Sequence, residues 1–263
     1  MPRPNSDRLI RSRSAGWLTA VVAVLIVAFI WLPARLAGAS SVERTELGGA
    51  AGRAIVQYWH TGRRTYPPSL AELVDYWRRY HIVKAMVAAA LLITLCALAK
   101  IQWRSVLAEP GGRGSVAAFA GLATSCGLAF GSSLLILANI QGAVAPLSSL
   151  LSTLPLGHDP AVDDTASAIH HALGGRVDGQ QPLGRMVADF GRYHAVLAAG
   201  AALLSVWLVG SAISALRRSK PGVLQRSRTW IFATLAVVML VVCVANAVTA
   251  SNPAPALRLL FGS

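Results

Sequence analysis

Residues Ser14–Ala34 read SAGWLTAVVAVLIVAFIWLPA, an uncharged apolar run held between Arg13 and Arg35. A helix rises ~1.5 Å per residue, so this run is long enough to cross the ~30 Å hydrocarbon core of a bilayer. Working outward, four further runs have the same character: Ile82 to Ala99, Val116 to about Ala138, Ala195 to Leu216, and Trp230 to about Ala250. Lys84 near the start of the second run can extend its ammonium to the interface. Lys100, Trp103 and Arg104 close that run as an interfacial anchor. From Asn139 to Leu156 the chain stays uncharged but gains Asn139, Gln141, Pro146, Pro155 and several serines, which fits an interfacial or re-entrant segment buried against protein.

The first run has a competing reading as a signal peptide, because Arg8, Arg11 and Arg13 precede it and Ala37-Gly38-Ala39 follows it. It is longer than a usual signal-peptide core, so an uncleaved helix is expected. The fold class is therefore all-α, a polytopic membrane helical bundle of five spans forming a single membrane domain.

Composition agrees. Of 263 residues, 54% are hydrophobic and only 13% charged, with a mean hydropathy of +0.54, where soluble domains carry roughly 25% charged residues. The net charge of +13 comes from basic residues grouped beside apolar runs. They read as topology signals. No zinc finger, RNA-binding signature or aromatic-interleaved basic helix accompanies them, so nucleic acid is not an expected partner. Cys96, Cys126 and Cys243 all fall inside apolar runs, without disulfide or metal spacing.

Basic density sets the expected orientation. Residues 1 to 14, 100 to 114 and 217 to 229 hold twelve of the 24 Lys and Arg residues in short segments next to spans. The other twelve are spread over a much longer opposite face, and long loops translocate largely regardless of charge. The expectation is N-in, C-out, with outer loops over 37–81 and 139–194, in the plasma membrane of a bacterium.

An internal duplication organises the chain. Leu73-Val74-Asp75-Tyr76-Trp77-Arg78-Arg79-Tyr80-His81 matches Val187-Ala188-Asp189-Phe190-Gly191-Arg192-Tyr193-His194 with one residue gapped. Upstream, Ala54-Ile55 aligns with Ala168-Ile169 and Pro68 with Pro182. Downstream, Leu137-Ala138-Asn139 with Pro146 and Leu150 matches Val244-Ala245-Asn246 with Pro253 and Leu257 at identical spacing. These matches predict a parallel tandem repeat, 2+2+1, with repeat 1 over about 15–104, repeat 2 over about 115–218 and a half repeat over 229–263.

All six histidines and nine of the eleven acidic residues fall on the expected outer side. The candidate outer-face site is accordingly Asp75, Arg79, Tyr80 and His81 with Asp189, Arg192, Tyr193 and His194. Imidazole and carboxylate together could bind a transition metal or move protons. The competing reading is structural. Asp75 with Arg79, and Asp189 with Arg192, have ion-pair spacing on a helix, and Tyr and His are ordinary anchors at the start of a span. Asn139 and Asn246 are polar helix-end residues whose amides need partners, through capping or bonds between helices. No phosphate loop, G-x-S-x-G, paired-cysteine or H-E-x-x-H motif is present, so no metal or cofactor is expected. Gly127 and Gly131 form a GxxxG for which packing within the bundle is expected, and such smooth faces also allow a homodimer.

The Asp75–His81 stretch and Leu137-Ala138-Asn139-Ile140-Gln141-Gly142 resemble those of actinobacterial multi-pass membrane proteins to which no activity is attached. That resemblance implies a membrane topology and no chemistry. The expected function is a non-catalytic accessory or scaffold protein whose two outer loops fold over the bundle and bind a membrane-protein partner or lipid. The first alternative is a membrane-bound enzyme using His81, His194, Asp75 and Asp189. A passive pore or exporter is the other, although the spans offer little beyond Ser and Thr to line a path.

Overall fold

The computed structural model describes residues 4–38, 46–108, 113–175, 181–217 and 223–262, so the basic loop at 218–222 lies outside the described residues. Among the described residues every regular element is helical: α1 (Pro4–Leu36), α2 (Leu47–Thr61), α3 (Pro68–Ala108), α4 (Arg113–Val144), α5 (Pro146–Leu151), α6 (Pro160–Gly174), α7 (Gln181–Leu216), α8 (Val223–Ser251) and α9 (Pro253–Leu260). Five of them contain the apolar runs and are long and apolar enough to cross a membrane, namely α1, α3, α4, α7 and α8. Their large side chains point outward in number, with Ile93, Leu203 and Val206 at least 70% exposed. In water such faces would be costly, and against lipid they are the norm. The five helices fit a multi-pass membrane protein.

By internal packing the chain divides into two units. The first holds α1, α3 from Arg79 onward, and α4 through Asn139. Val22, Leu91 and Leu95 cluster there with Leu25 and Ala129, joining the three helices. Lys84 stays inside this unit, its ammonium 4.6 Å from the Phe29 ring centre and 5.2 Å from that of Tyr80. Aromatic faces can hold a cation where water is scarce. Gly121 packs against Gln102, where an added Cβ would lie 2.9 Å from Nε2. Gly127 and Gly131 behave differently from expectation. A Cβ at either would meet nothing within 4 Å, so the GxxxG face is open among the described residues.

The second unit holds α2, α3 through Arg78, and the chain from Ile140 on. Here α7 and α8 run alongside each other, tied by Ser205 Oγ donating to the Ala236 carbonyl at 2.9 Å. The principal core lies at the polar end of α7. There α2 buries Leu47, Ala51, Ala54, Ile55 and Tyr58, while α6 buries Val162, Thr165, Ala166, Ile169 and Leu173. Both sets recur at three and four residues, the spacing of one helix face. Leu70, Leu73, Leu183, Met186 and Leu257 complete the core with all six residues of α5 buried. The expected outer loops are thus mostly helix, each built on a 15-residue amphipathic segment.

Local signals explain where these helices start and stop. Asp159 caps α6, its carboxylate accepting from Ala161 N at 3.0 Å and Val162 N at 3.4 Å, with Pro160 in the first position. Gly62, at φ +62°, ends α2 in the left-handed conformation that favours glycine. Pro146 and Pro253 interrupt the long helices and open α5 and α9. Proline removes a donor that the helix interior needs but the first turn does not.

Candidate functional site

The duplicated motifs place their residues in three kinds of surroundings. In the first unit, His81 Nδ1 lies 2.9 Å from Asn139 Oδ1, and Asn139 Nδ2 donates to the Leu135 carbonyl one turn back at 2.7 Å. In the second unit, His194 Nδ1 lies 2.6 Å from Asn246 Oδ1, and Asn246 Nδ2 donates to the Val242 carbonyl at 2.8 Å. Each asparagine therefore uses its oxygen for a neighbouring helix and its amide for its own. This is the bonding between helices expected of buried amides near apolar surroundings. The tyrosine before each histidine stacks edge-on to it, Tyr80 at 5.7 Å and Tyr193 at 5.5 Å between ring centres. Phe190 adds a second ring at 4.5 Å from His194.

The acidic residues do something else. Asp75 pairs with Arg78, and Asp189 with Arg192 at 3.4 Å, both at a spacing of three. The ion pairs align Asp75-Tyr76-Trp77-Arg78 with Asp189-Phe190-Gly191-Arg192 without a gap. Arg78 thus matches Arg192 by its ion pair, while Arg79 matches it through the contiguous Arg-Tyr-His.

Asp189 is buried, with its side chain only 5% exposed. Its Oδ2 accepts from Ser148 N at 3.0 Å and from Ser148 Oγ at 3.2 Å. Ser148 is the third residue of α5, where the backbone N–H has no partner within its own helix. The residue before α5, Ala145, has no side-chain acceptor to offer. A carboxylate from α7 thus caps a buried helix that cannot cap itself. Beside it, Trp77 Nε1 donates to Ser149 Oγ at 3.0 Å.

Between these groups lies a cavity of about 250 Å³. Asp75 and Arg78 from α3 line it, with Arg185, Asp189 and Arg192 from α7, Tyr66, and an apolar wall that includes Val74, Val144 and Pro146. Arg185 Nε donates to Tyr66 Oη at 3.1 Å, and its guanidinium carbon lies 4.9 Å from the ring centre. Burial pushes the Tyr66 phenol above its usual range, against the pull of the Arg185 hydrogen bond. Nearby, Tyr58 is fully buried, meets Tyr66 edge-on, and donates to the Arg64 carbonyl at 3.2 Å. Burial raises its phenol to about 12.

Sequence reasoning found Asp75, Asp189 and Arg192 but missed Tyr66, Arg78, Arg185 and Ser148. Tyr66 and Arg185 are far apart in the chain and carry no spacing signal. Arg78 was visible as the other possible partner of Asp75. His81 with Asn139, and His194 with Asn246, fall in different units from one another, and each imidazole is bonded to an amide. Among the described residues no three His, Cys, Asp or Glu side chains form a group able to hold a metal. Comparison with protein-family models, curated proteins and solved structures finds no match to the chain.

Proposed function

We propose that this is a non-catalytic accessory or scaffold protein of a bacterial plasma membrane, with the helical cap of its second unit as its recognition surface. The observation that carries the reading is where the principal core lies. Seventeen buried residues join α2, α5, α6 and α9 to the polar ends of α3 and α7. That core makes a rigid, shaped surface, the property a docking platform needs. Several hydroxyls of the spans, by contrast, turn back on their own helices. Thr94, Ser133, Ser211 and Thr249 each donate to the carbonyl four residues earlier. A lined path would present such groups to a substrate.

The same reading includes N-in, C-out topology and a parallel tandem repeat. The helix order supports a repeat that runs over α2–α5 and again over α6–α9, with α1 before it. Each copy has a 15-residue helix, two long helices joined by a His–Asn bond, and a short helix opened by proline. This phase differs from the 2+2+1 division, which begins the repeat at the first span.

The test is site-directed cross-linking in native membranes, with Cys96, Cys126 and Cys243 replaced. Photo-reactive probes at exposed Gln57 on α2 and Ser167 on α6 should give a discrete adduct that a probe at Val238 on α8 does not. Equal yields from all three positions, or none from any, would refute the docking cap. In the same background, a cysteine at Arg63 should label from outside and one at Ser227 from inside. Labelling of both from one side would refute the topology.

A further inference from the structure

The cavity at the polar end of α7 combines three guanidinium groups with an apolar wall, and two carboxylates do not neutralise it. Asp75 is engaged by Arg78, and Asp189 by Ser148 and Arg192. Arg185 is different, since it donates to a neutral phenol oxygen rather than to a carboxylate. With Arg78, Arg185 and Arg192 against Asp75 and Asp189, the lining carries three positive and two negative charges, a net of one positive. Guanidinium forks match the oxygens of phosphate and carboxylate in pairs.

Depth narrows the ligand. On α7 the apolar run begins at Ala195, three residues after Arg192. At a rise of ~1.5 Å per residue that places the Arg192 backbone about 4–5 Å before the hydrocarbon boundary. The polar headgroup layer is roughly 5–7 Å deep on each side of the membrane. A cavity of about 250 Å³ is smaller than sites that enclose a whole drug-sized molecule, roughly 300–1,000 Å³. It has room for a headgroup, with the rest of the molecule leaving along Val74, Val144 and Pro146. A small free anion would gain nothing from that apolar wall. We infer that this cavity binds the phosphate headgroup of an anionic phospholipid, seated on Arg78, Arg185 and Arg192. The inference rests on the reading of the cap as a recognition surface and names lipid as one of its ligands.

The test uses the full chain, delipidated in neutral detergent, with native mass spectrometry and thermal unfolding as readouts. Phosphatidylglycerol should be retained at one equivalent and should raise the melting temperature. Phosphatidylcholine should do neither, and millimolar inorganic phosphate should neither shift the melting temperature nor displace the lipid. R78Q/R192Q, which leaves Arg185 on Tyr66, should weaken phosphatidylglycerol binding at least tenfold, whereas R104Q should leave it unchanged. If the double glutamine variant does not fold, R78K/R192K keeps the charge, loses the paired geometry, and should weaken binding several-fold. Equal binding of phosphatidylcholine, an unchanged affinity in the variants, or an equal loss in R104Q would overturn the site. Inorganic phosphate binding as tightly as the lipid would show a small-anion site and overturn the lipid assignment. A chain that binds the lipid but gives no cap-specific adduct loses the scaffold reading alone. One that gives the adduct but binds no lipid loses this inference alone.

Discussion

Asp75 and Asp189 open the same four-residue pattern, an aspartate, an aromatic, one variable residue and an arginine, yet the structure treats them differently. The Asp75 side chain is 40% exposed, whereas that of Asp189 is 5% exposed. The short helices differ as well. Asp189 meets the free N–H of Ser148 in α5. The position that matches Ser148 in α9 is Pro255, which has no N–H to satisfy. The variable residue follows suit. Trp77 reaches across to Ser149, while at Gly191 an added Cβ would come within 3.5 Å of the Ala250 carbonyl oxygen and of Pro253. A duplicated motif thus keeps its ion pair in both copies, and only one copy recruits it into the core.

The sharpest way to break this comparison is to remove both carboxylates in turn. Asp189→Ala leaves the buried Ser148 N–H and hydroxyl without their acceptor, and an unsatisfied buried donor costs about 1–3 kcal/mol, while the half-exposed Arg192 can turn to water. Asp75→Ala removes a largely exposed ion pair, for which about 0–1 kcal/mol is expected. Thermal or denaturant unfolding in detergent should therefore show a large drop for the first variant and a small one for the second. Matching drops would mean that burial of Asp189 does not set its role.

That asymmetry marks how far the sequence could be read. The five spans were legible because each is an uncharged run longer than the hydrocarbon core, bounded by basic or aromatic residues. The duplicated aspartates and histidines were legible as polar residues beginning a span. What each one touches was not. Outer loops folded over the bundle would cover both aspartates; the Asp189 side chain is buried, whereas that of Asp75 stays 40% exposed. The contiguous Arg-Tyr-His made Arg79 legible, whereas the pairing of Asp75 with Arg78 at a spacing of three, as in Asp189 and Arg192, appears only with the ion pairs. Asn139 and Asn246 announced that they needed partners, but the histidines that answer them lie 58 and 52 residues away.

A second comparison, within the proposed repeat, concerns α2 and α6. Tyr58 on α2 aligns with Ala172 on α6, at the offset that relates Asp75 to Asp189. Burial holds the Tyr58 phenol neutral up to about 12, while in the unfolded chain it ionises near 10. Its contribution is complete below pH 10 and is lost as pH rises toward 12, because the unfolded state releases the proton first. The loss should be about 2–3 kcal/mol at most. Unfolding midpoints measured from pH 8 to 12 should fall steeply above 10, and Tyr58→Phe should flatten that fall. An equally steep fall in the variant would place the alkaline sensitivity elsewhere, and α2 would then be no more pH-sensitive than α6.

Ser148 offers a smaller effect on the same axis. Ser148→Ala deletes the Oγ bond to Asp189 and keeps the backbone bond, so about 1 kcal/mol is expected. Combined with Asp189→Ala, the serine change should add little more, because its acceptor is already gone. Full additivity in the double variant would show that Ser148 Oγ acts through some group other than the carboxylate.

The smallest effects should come where the copies agree. His81 and His194 each meet an asparagine oxygen, and each asparagine amide remains tied to its own helix whatever the histidine does. Removing the imidazole therefore costs a single bond between helices. Such bonds in membrane proteins average about 0.6 kcal/mol, since an exposed partner finds alternatives. His81→Ala and His194→Ala should lower stability by similar small amounts, and His→Gln at either site should recover part of the loss, since an amide can still donate to Asn Oδ1. His194 has the Phe190 ring at 4.5 Å as well as Tyr193. Removing its imidazole therefore also loses a ring contact of about 0.5–1.5 kcal/mol. A Phe190→Leu background separates the two contributions, because it should lower the cost of His194→Ala by about that amount. If the cost of His194→Ala is unchanged there, the ring contact contributes nothing and the His194–Asn246 bond carries the whole effect.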